Sequence, residues 1–177
     1  TVNEPPERFF DALCEAKPDI VAFSAYIWNI REIKMLCGRL RREKPHVPIL
    51  LGGPEVTFNP EPYLADGLCD YILRGEGEIA FTKLCDALLE GKDIPDGFGI
   101  AYFDKAARKV VLPEPVVCEN LAELASPYTP DYLAKLPGRI AYVESSRGCP
   151  FSCAFCLSGA CRGVRTFPME FVKRAIL

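Results

Sequence analysis

Three cysteines, Cys149, Cys153 and Cys156, fall within eight residues in the stretch ESSRGCPFSCAFC. Their spacing follows neither a helical nor a strand period, so one packed face cannot explain them. A disulfide would leave one thiol over and needs an oxidising compartment. Deprotonated thiols are soft ligands, suited to zinc or to an iron–sulfur cluster. A structural zinc wants four ligands. Cys161 is a candidate fourth, since the sole histidine, His46, lies far back in the chain. Three thiolates can also hold a four-iron cluster and leave one iron open to another ligand. Gly148 and Pro150 suit the tight loop this requires, and Phe151 and Phe155 would supply apolar cover. Spacing alone puts iron–sulfur ahead of zinc without excluding it.

The elements around the loop set where it can sit. RIAYVESS, ahead of it, reads as a strand, and PMEFVKRAIL, after it, as a helix with Phe171, Val172 and Ile176 on its apolar side. Upstream, strand and helix alternate three times. DIVAFSAYI, VPILLGG and CDYILRG are apolar enough to be buried on both faces, which points to a parallel sheet. The helices between them begin with Phe9, Leu13 and Ala16 on one side of the first, which Pro18 stops. The second carries Ile30, Ile33, Cys37 and Leu40, with Asn29 as its N-cap. EPYLADG is a short weak helix. The last carries Phe81, Leu84, Cys85, Leu88 and Leu89 and ends at Gly91. The fold class expected is therefore α/β: a doubly wound, flavodoxin-like parallel sheet, incomplete at its start. IAYF and KVVL around DKAAR read as a hairpin near 99–113. Residues 1–117 form the first domain, 118–138 a linker with one short helix, and 139–177 the opening of a second domain. Both ends of the sequence read as cuts in a longer protein.

Composition narrows the function. The 177 residues are 49% apolar and 25% charged, a globular balance, and the formal net charge of −3 does not favour a nucleic-acid partner. The cluster RLRREK, Arg39 to Lys44, reads as a solvated helix end. No apolar run is long enough to span a membrane. The nine cysteines, with no secretion signal at the start, point to a reducing, cytoplasmic setting. Cys14, Cys37, Cys69, Cys85 and Cys118 sit in apolar patterns and read as small buried hydrophobes.

Glycines follow the strands at the edge where α/β sheets bind ligands. Gly52 and Gly53 would let backbone approach a ligand closely, and Gly75 and Gly77 would do so beside a helix start. Tyr26 and Trp28 can lie flat on a large ring. Asn29, Pro54 and Glu76 share these loops, and Glu76 and Glu78 carry charge suited to a helix start. Turn formation alone would also account for the glycines.

The pattern C-x3-C-x-aromatic-C, with Phe155 in the aromatic place, is similar to the signature of the radical S-adenosylmethionine (radical SAM) enzymes. The resemblance implies that Cys149, Cys153 and Cys156 ligate a four-iron four-sulfur cluster. It also implies that S-adenosylmethionine binds the open iron and yields a 5'-deoxyadenosyl radical, and that residues 139–177 open a (β/α) barrel. Cys161 has no place in that signature. VAFSAYIWNI, ILLGGPEVTFNPE and YILRGEGE resemble the branch with an N-terminal cobalamin-binding-like domain, which includes magnesium-protoporphyrin IX monomethyl ester oxidative cyclases. That resemblance implies cobalamin as a further cofactor, facing Tyr26, Trp28, Asn29, Gly52, Gly53, Pro54, Gly75, Glu76 and Gly77. It implies a tetrapyrrole or other unactivated small-molecule substrate and an electron donor as partners. The Asp-x-His-x-x-Gly motif that supplies a cobalt ligand in many cobalamin domains is missing, and His46 reads as a surface turn. No catalytic acid or base is assigned. Too little of the barrel is here for this stretch to be active by itself. A binding module without catalysis and a structural zinc protein are the alternatives.

Overall fold

A computed structural model describes residues 5–157 and 163–176. The chain divides into two compact units, one ending at Val116 and the other beginning at Val117.

The first unit is a five-stranded sheet in the order β1-β2-β3-β4-β5. Helix α1 (Pro6–Ala16) leads into β1 (Val21–Ser24), and α2 (Ile30–Glu43) leads into β2 (Ile49–Gly52). The short helices α3 (Pro54–Thr57) and α4 (Glu61–Ala65) precede β3 (Tyr71–Leu73), and α5 (Glu78–Glu90) follows it. β1, β2 and β3 are parallel, with Val21 opposite Ile49 and Leu50 opposite Tyr71. β4 (Ile100–Asp104) and β5 (Lys109–Val111) form the expected hairpin. The hairpin does not pack as an appendage. It extends the sheet antiparallel to β3, with Tyr71 opposite Tyr102, so the sheet is mixed. Asp104 Oδ1 closes its turn by accepting from the N–H groups of Ala106 (2.8 Å) and Ala107 (2.9 Å).

The uniform apolarity of the strands has its cause here. Ile49 and Leu51 enter a core with Phe10, Ile33, Cys37 and Leu40, while Leu50 points to the other face with Leu73, Ala80 and Leu84. Helices thus cover both faces of β2 and β3, whereas β1, expected to be buried on both faces, lies at the sheet edge with Ala22 and Ser24 exposed.

Two helix faces differ from expectation. α1 buries Phe10, with Leu13 and Cys14 partly covered, and leaves Phe9 42% exposed. The i, i+3, i+4 set that starts one residue later meets the core. α5 buries Ala80, Leu84 and Ala87, whereas Phe81 (39%) and Leu89 (79%) look outward. Ala80 and Ala87 flank Leu84 on the sheet side, with Leu88 partly buried there, and Phe81 and Leu89 are left on the far side. The basic run at the end of α2 is not simply solvated either. Arg41 reaches Asp70 (2.8 Å) and the Gly67 carbonyl (2.9 Å), and Asp70 also accepts from the N–H of Ile49 (2.7 Å).

The second unit holds a 3-10 turn at Leu121–Glu123, helix α6 (Pro130–Leu133), strands β6 (Ser146–Cys149) and β7 (Gly163–Thr166), and helix α7 (Met169–Ile176). Asn120 and Thr129 cap the 3-10 turn and α6 through their side-chain oxygens. The strand expected from Arg139 to Ser146 does not form before Ser146. Ile140 and Tyr142 are each 76% exposed, and among the described residues no strand pairs with residues 139–145. Strand pairing starts at β6, which joins β7 antiparallel with Arg147 opposite Arg165.

Candidate functional site

The cysteine loop leaves from the end of β6. Gly148 takes φ 89° there, a backbone that L side chains rarely adopt. Cys149 is half-buried, and Cys153 and Cys156 are exposed. The N–H of Cys156 donates to the Cys153 carbonyl (3.1 Å), a turn that sets these two residues on one short bend. Phe151 (69% exposed) and Phe155 (94%) stand in solvent, so the apolar cover expected of them is not formed within this unit. Among the described residues, no three His, Cys, Asp or Glu side chains are gathered as a metal-holding group. Cys161 lies outside the described residues. The donor set itself fits an iron–sulfur cluster: three cysteines, two of them exposed, with no carboxylate or imidazole between Cys149 and Cys156.

In the first unit, the carboxyl ends of β1, β2 and β3 carry the other candidate residues. Asn29 is at the N-cap position of α2, but its side chain makes no cap. It turns back into its own loop: Oδ1 accepts from the N–H of Tyr26 (2.8 Å), and Nδ2 donates to the Ser24 carbonyl (3.0 Å). Tyr26 and Trp28 stack on each other, with centroids 4.5 Å apart and planes 9° apart. Trp28 stays 62% exposed, and Ile27 (79%) and Phe58 (53%) are exposed on the same set of loops. An apolar cavity of about 470 Å³ beside β1 is lined by Phe9, Phe23, Trp28, Asn29 and Ile33.

The glycines divide by role. A Cβ on Gly53 (φ 99°) would stand 2.6 Å from the Ala25 carbonyl oxygen, and one on Gly75 (φ 97°) only 2.1 Å from that of Val116. These two are required by backbone packing against backbone. Gly52 faces open space within 4 Å, and Gly77 meets only Leu73 Cδ1 at 3.4 Å. The loops knit together: the Ala25 N–H donates to the Gly52 carbonyl (2.7 Å), and the Glu76 N–H to that of Val116 (2.8 Å). Pro54 opens α3, and Glu78 sits in the first turn of α5, where its charge suits the helix dipole.

Arg74 was not singled out from the sequence. It is only 9% exposed. Its Nε donates to the Thr57 carbonyl (2.8 Å) and its Nη1 to the Pro113 carbonyl, so one guanidinium ties the loop after β2 to the exit of the hairpin. A charge ending an apolar strand, in YILRG, was the available signal. His46 is exposed in a turn closed by the Val47 N–H donating to the Lys44 carbonyl (3.0 Å), as expected. Burial pushes the Cys37 thiol up to about 12 and raises that of Cys69 as well. Both are packing groups, as read from the sequence.

The fold is an α/β domain with a mixed sheet that resembles the flavodoxin-like, cobalamin-binding fold. Comparison with known proteins agrees: the B12 binding domain family matches residues 1–85. The cobalamin-dependent radical SAM methyltransferase TokK of Streptomyces tokunonensis is 30% identical over 171 residues, 86% of this chain and 23% of that protein. The anaerobic magnesium-protoporphyrin IX monomethyl ester cyclase of Rubrivivax gelatinosus is 30% identical over 153 residues, 79% of this chain and 27% of that protein. Among solved structures, the cobalamin-dependent S-adenosylmethionine radical enzyme OxsB with aqua-cobalamin bound superposes with a TM-score of 0.80 and 22% identity. It covers 98% of this chain and 25% of that one, and shows likeness of fold. Over most of its length the chain is similar to cobalamin-dependent radical SAM methyltransferases and anaerobic cyclases, and its first part matches a B12-binding-type domain. It spans between 23% and 33% of the length of the curated relatives it matches. No helix among the described residues is long and apolar enough to cross a membrane.

Proposed function

We propose that the whole protein is a radical SAM enzyme that works with cobalamin on an unactivated small molecule. The observation that carries this reading is the loop Cys149–Cys156, with Phe155 before the third cysteine, in one chain with a B12-binding-type domain. Residues 1–117 would form the cobalamin-binding domain, 118–138 the linker and 139–177 the start of the radical SAM domain. Cys149, Cys153 and Cys156 would hold a four-iron four-sulfur cluster. When bound, that cluster supplies the electron for reductive cleavage of S-adenosylmethionine. The chain's own part is to present three thiolates and keep other donors out of the loop. Phe155, exposed here, would shield the site from water once the barrel closes over it.

On the first domain, Gly52 and Gly77 leave room for a ligand. The Tyr26–Trp28 stack offers a flat apolar surface, with Pro54, Gly53, Gly75, Glu76 and Asn29 shaping the loops that frame it. His46 lies in the turn that leads into β2, at the opposite end of that strand from Gly52, so we assign cobalamin no histidine from this chain. The substrate would be a tetrapyrrole or another molecule that lacks an activated carbon, and an electron donor would be the partner. Methyltransferases and a cyclase are both represented among the relatives. The odd total of nine cysteines favours a reducing, cytoplasmic setting.

Full-length protein purified without oxygen tests the proposal. The expected result is about four iron and four sulfide per chain, cobalt on reconstitution, and 5'-deoxyadenosine on reduction with S-adenosylmethionine. Zinc in place of iron and sulfide would refute it in favour of a structural metal site. Cobalt binding with no iron would favour a binding module.

A further inference from the structure

We infer that Arg147, Glu144 and Phe167 form a brace that makes Cys149 the fixed point of the cysteine loop, onto which Cys153 and Cys156 are drawn. The inference rests on the cluster reading proposed above.

Arg147 lies in β6 two residues before Cys149, so the two side chains leave the same face of the strand. Its Nε stands 3.0 and 3.1 Å from the two carboxylate oxygens of Glu144, and its Nη2 stands 2.9 Å from Oε2. This forked geometry fixes the plane of the guanidinium. The same guanidinium lies 5.6 Å from the centre of the Phe167 ring. Phe167 is itself held: it is 7% exposed, and it stacks on Phe171 at 4.7 Å with planes 17° apart. Its N–H donates to the Ser145 carbonyl (3.0 Å). Glu144 is held from its other end, where its N–H donates to the Tyr128 hydroxyl (2.7 Å). Tyr128 meets Phe171 edge-on at 6.2 Å. One network therefore ties linker, strand and terminal helix around the three residues that lead into Cys149.

Beyond Cys149 the character of the chain changes. Residues 150–157 are exposed, and the backbone bond between Cys156 and Cys153 is a local one. An ion pair near the surface adds little to stability by itself. Its consequence here is positional: it sets the direction in which the first thiolate meets a metal. Outer partners of this kind typically change metal retention by ~10–100-fold when removed.

The test uses full-length protein, reconstituted with iron and sulfide without oxygen, as wild type and as Arg147→Gln, Arg147→Lys and Glu144→Gln. Iron release to a chelator, the electron paramagnetic resonance signal of the reduced cluster, and melting of the metal-free protein are recorded. Arg147→Gln should release iron roughly ten times faster, with an altered signal and a melting temperature close to wild type. Arg147→Lys keeps the charge without the fork and should fall between. If Arg147→Gln does not fold, the isosteric Glu144→Gln decides. Wild-type release and an unchanged signal in Arg147→Gln and Glu144→Gln would overturn the brace. So would faster release that appears only together with a collapse in melting temperature, since that marks a purely structural role. A wild type that takes up no iron and sulfide overturns the cluster reading beneath the inference, and is distinguishable because no variant is then needed.

Discussion

Gly75→Ala should be among the most damaging single-methyl changes in this chain. Gly75 holds φ 97°, and an added Cβ would lie 2.1 Å from the Val116 oxygen, 2.8 Å from its nitrogen and 2.9 Å from its carbonyl carbon. All three are backbone atoms, so no side chain can swing aside. The left-handed backbone costs an ordinary residue about 1–2 kcal/mol. Relief of the clash must part Gly75 from Val116, which breaks two backbone hydrogen bonds, Glu76 N–H to Val116 and Val116 N–H to Arg74. At ~0.5–1.5 kcal/mol each, these bring the expected loss to about 2–5 kcal/mol, a large share of a domain's usual ~5–15 kcal/mol. The control is Gly91→Ala, at φ 63° with nothing within 4 Å of the added methyl, which should cost the backbone term alone. Urea titration can follow both, because the sole tryptophan, Trp28, reports on the first unit. Equal losses in the two variants would refute the close-approach argument.

Asn29→Asp should destabilise the chain by about 1 kcal/mol, because it keeps the acceptor for Tyr26 but sets a carboxylate against the Ser24 carbonyl; a helix-capping role would make the change nearly neutral. At pH 8, an alkylating thiol reagent should modify Cys153 and Cys156 quickly and reach Cys37 and Cys69 only on unfolding. The folded Cys37 thiol, up at about 12, stays protonated where an unfolded one ionises, so its contribution to stability is full below about pH 9 and is lost between there and pH 12; a flat urea midpoint across that window would contradict this. Cys153→Ala should abolish cluster assembly in the full-length protein, and equal iron content in mutant and wild type would defeat the cluster reading. Leu84→Ala, at a fully buried position between α5 and the sheet, should cost about 2–5 kcal/mol in the same titration.

β2 and β3 could be read in advance because burial on both faces leaves a continuous apolar run, and Leu50 between Ile49 and Leu51 shows both faces in use; β1 has the same apolar run but lies at the sheet edge with Ala22 and Ser24 exposed. The inward face of α5 was legible in part: Leu84 and Leu88 meet the core as their spacing indicates, while Ala80 and Ala87 were not legible because large apolar residues such as Phe81 and Leu89 also lie on the exposed side. The strand over 139–146 was misread for a related reason. Apolar alternation states that a segment can pair, and the pairing partner is a long-range fact. At the sheet edge, sequence located the loops but not the use of each residue. Asn29 was legible as a polar group at a helix start, while its bonds back to Ser24 and Tyr26 depend on the shape of the loop.

The same ambiguity explains why the glycine motifs are informative and yet easy to misassign. GG after β2 and GEG after β3 each contain one glycine demanded by neighbouring backbone, Gly53 against Ala25 and Gly75 against Val116, and one with looser surroundings, Gly52 and Gly77. The first kind brings the loops close enough for Arg74 to bind both the Thr57 and Pro113 carbonyls. A buried guanidinium needs such acceptors, since leaving its charge unsatisfied would cost more than the loops can repay. Of the second kind, Gly52 has open space beside it and Gly77 meets only the Leu73 side chain; on the proposed reading, a ligand would approach Gly52 without ordering the chain first. Substitution separates the roles: at Gly53 or Gly75 it should lower stability, and at Gly52 it should leave stability near wild type and weaken the ligand. A Gly52→Ala protein that unfolds as easily as Gly75→Ala would show that both glycines serve the backbone, and that the cofactor surface lies elsewhere.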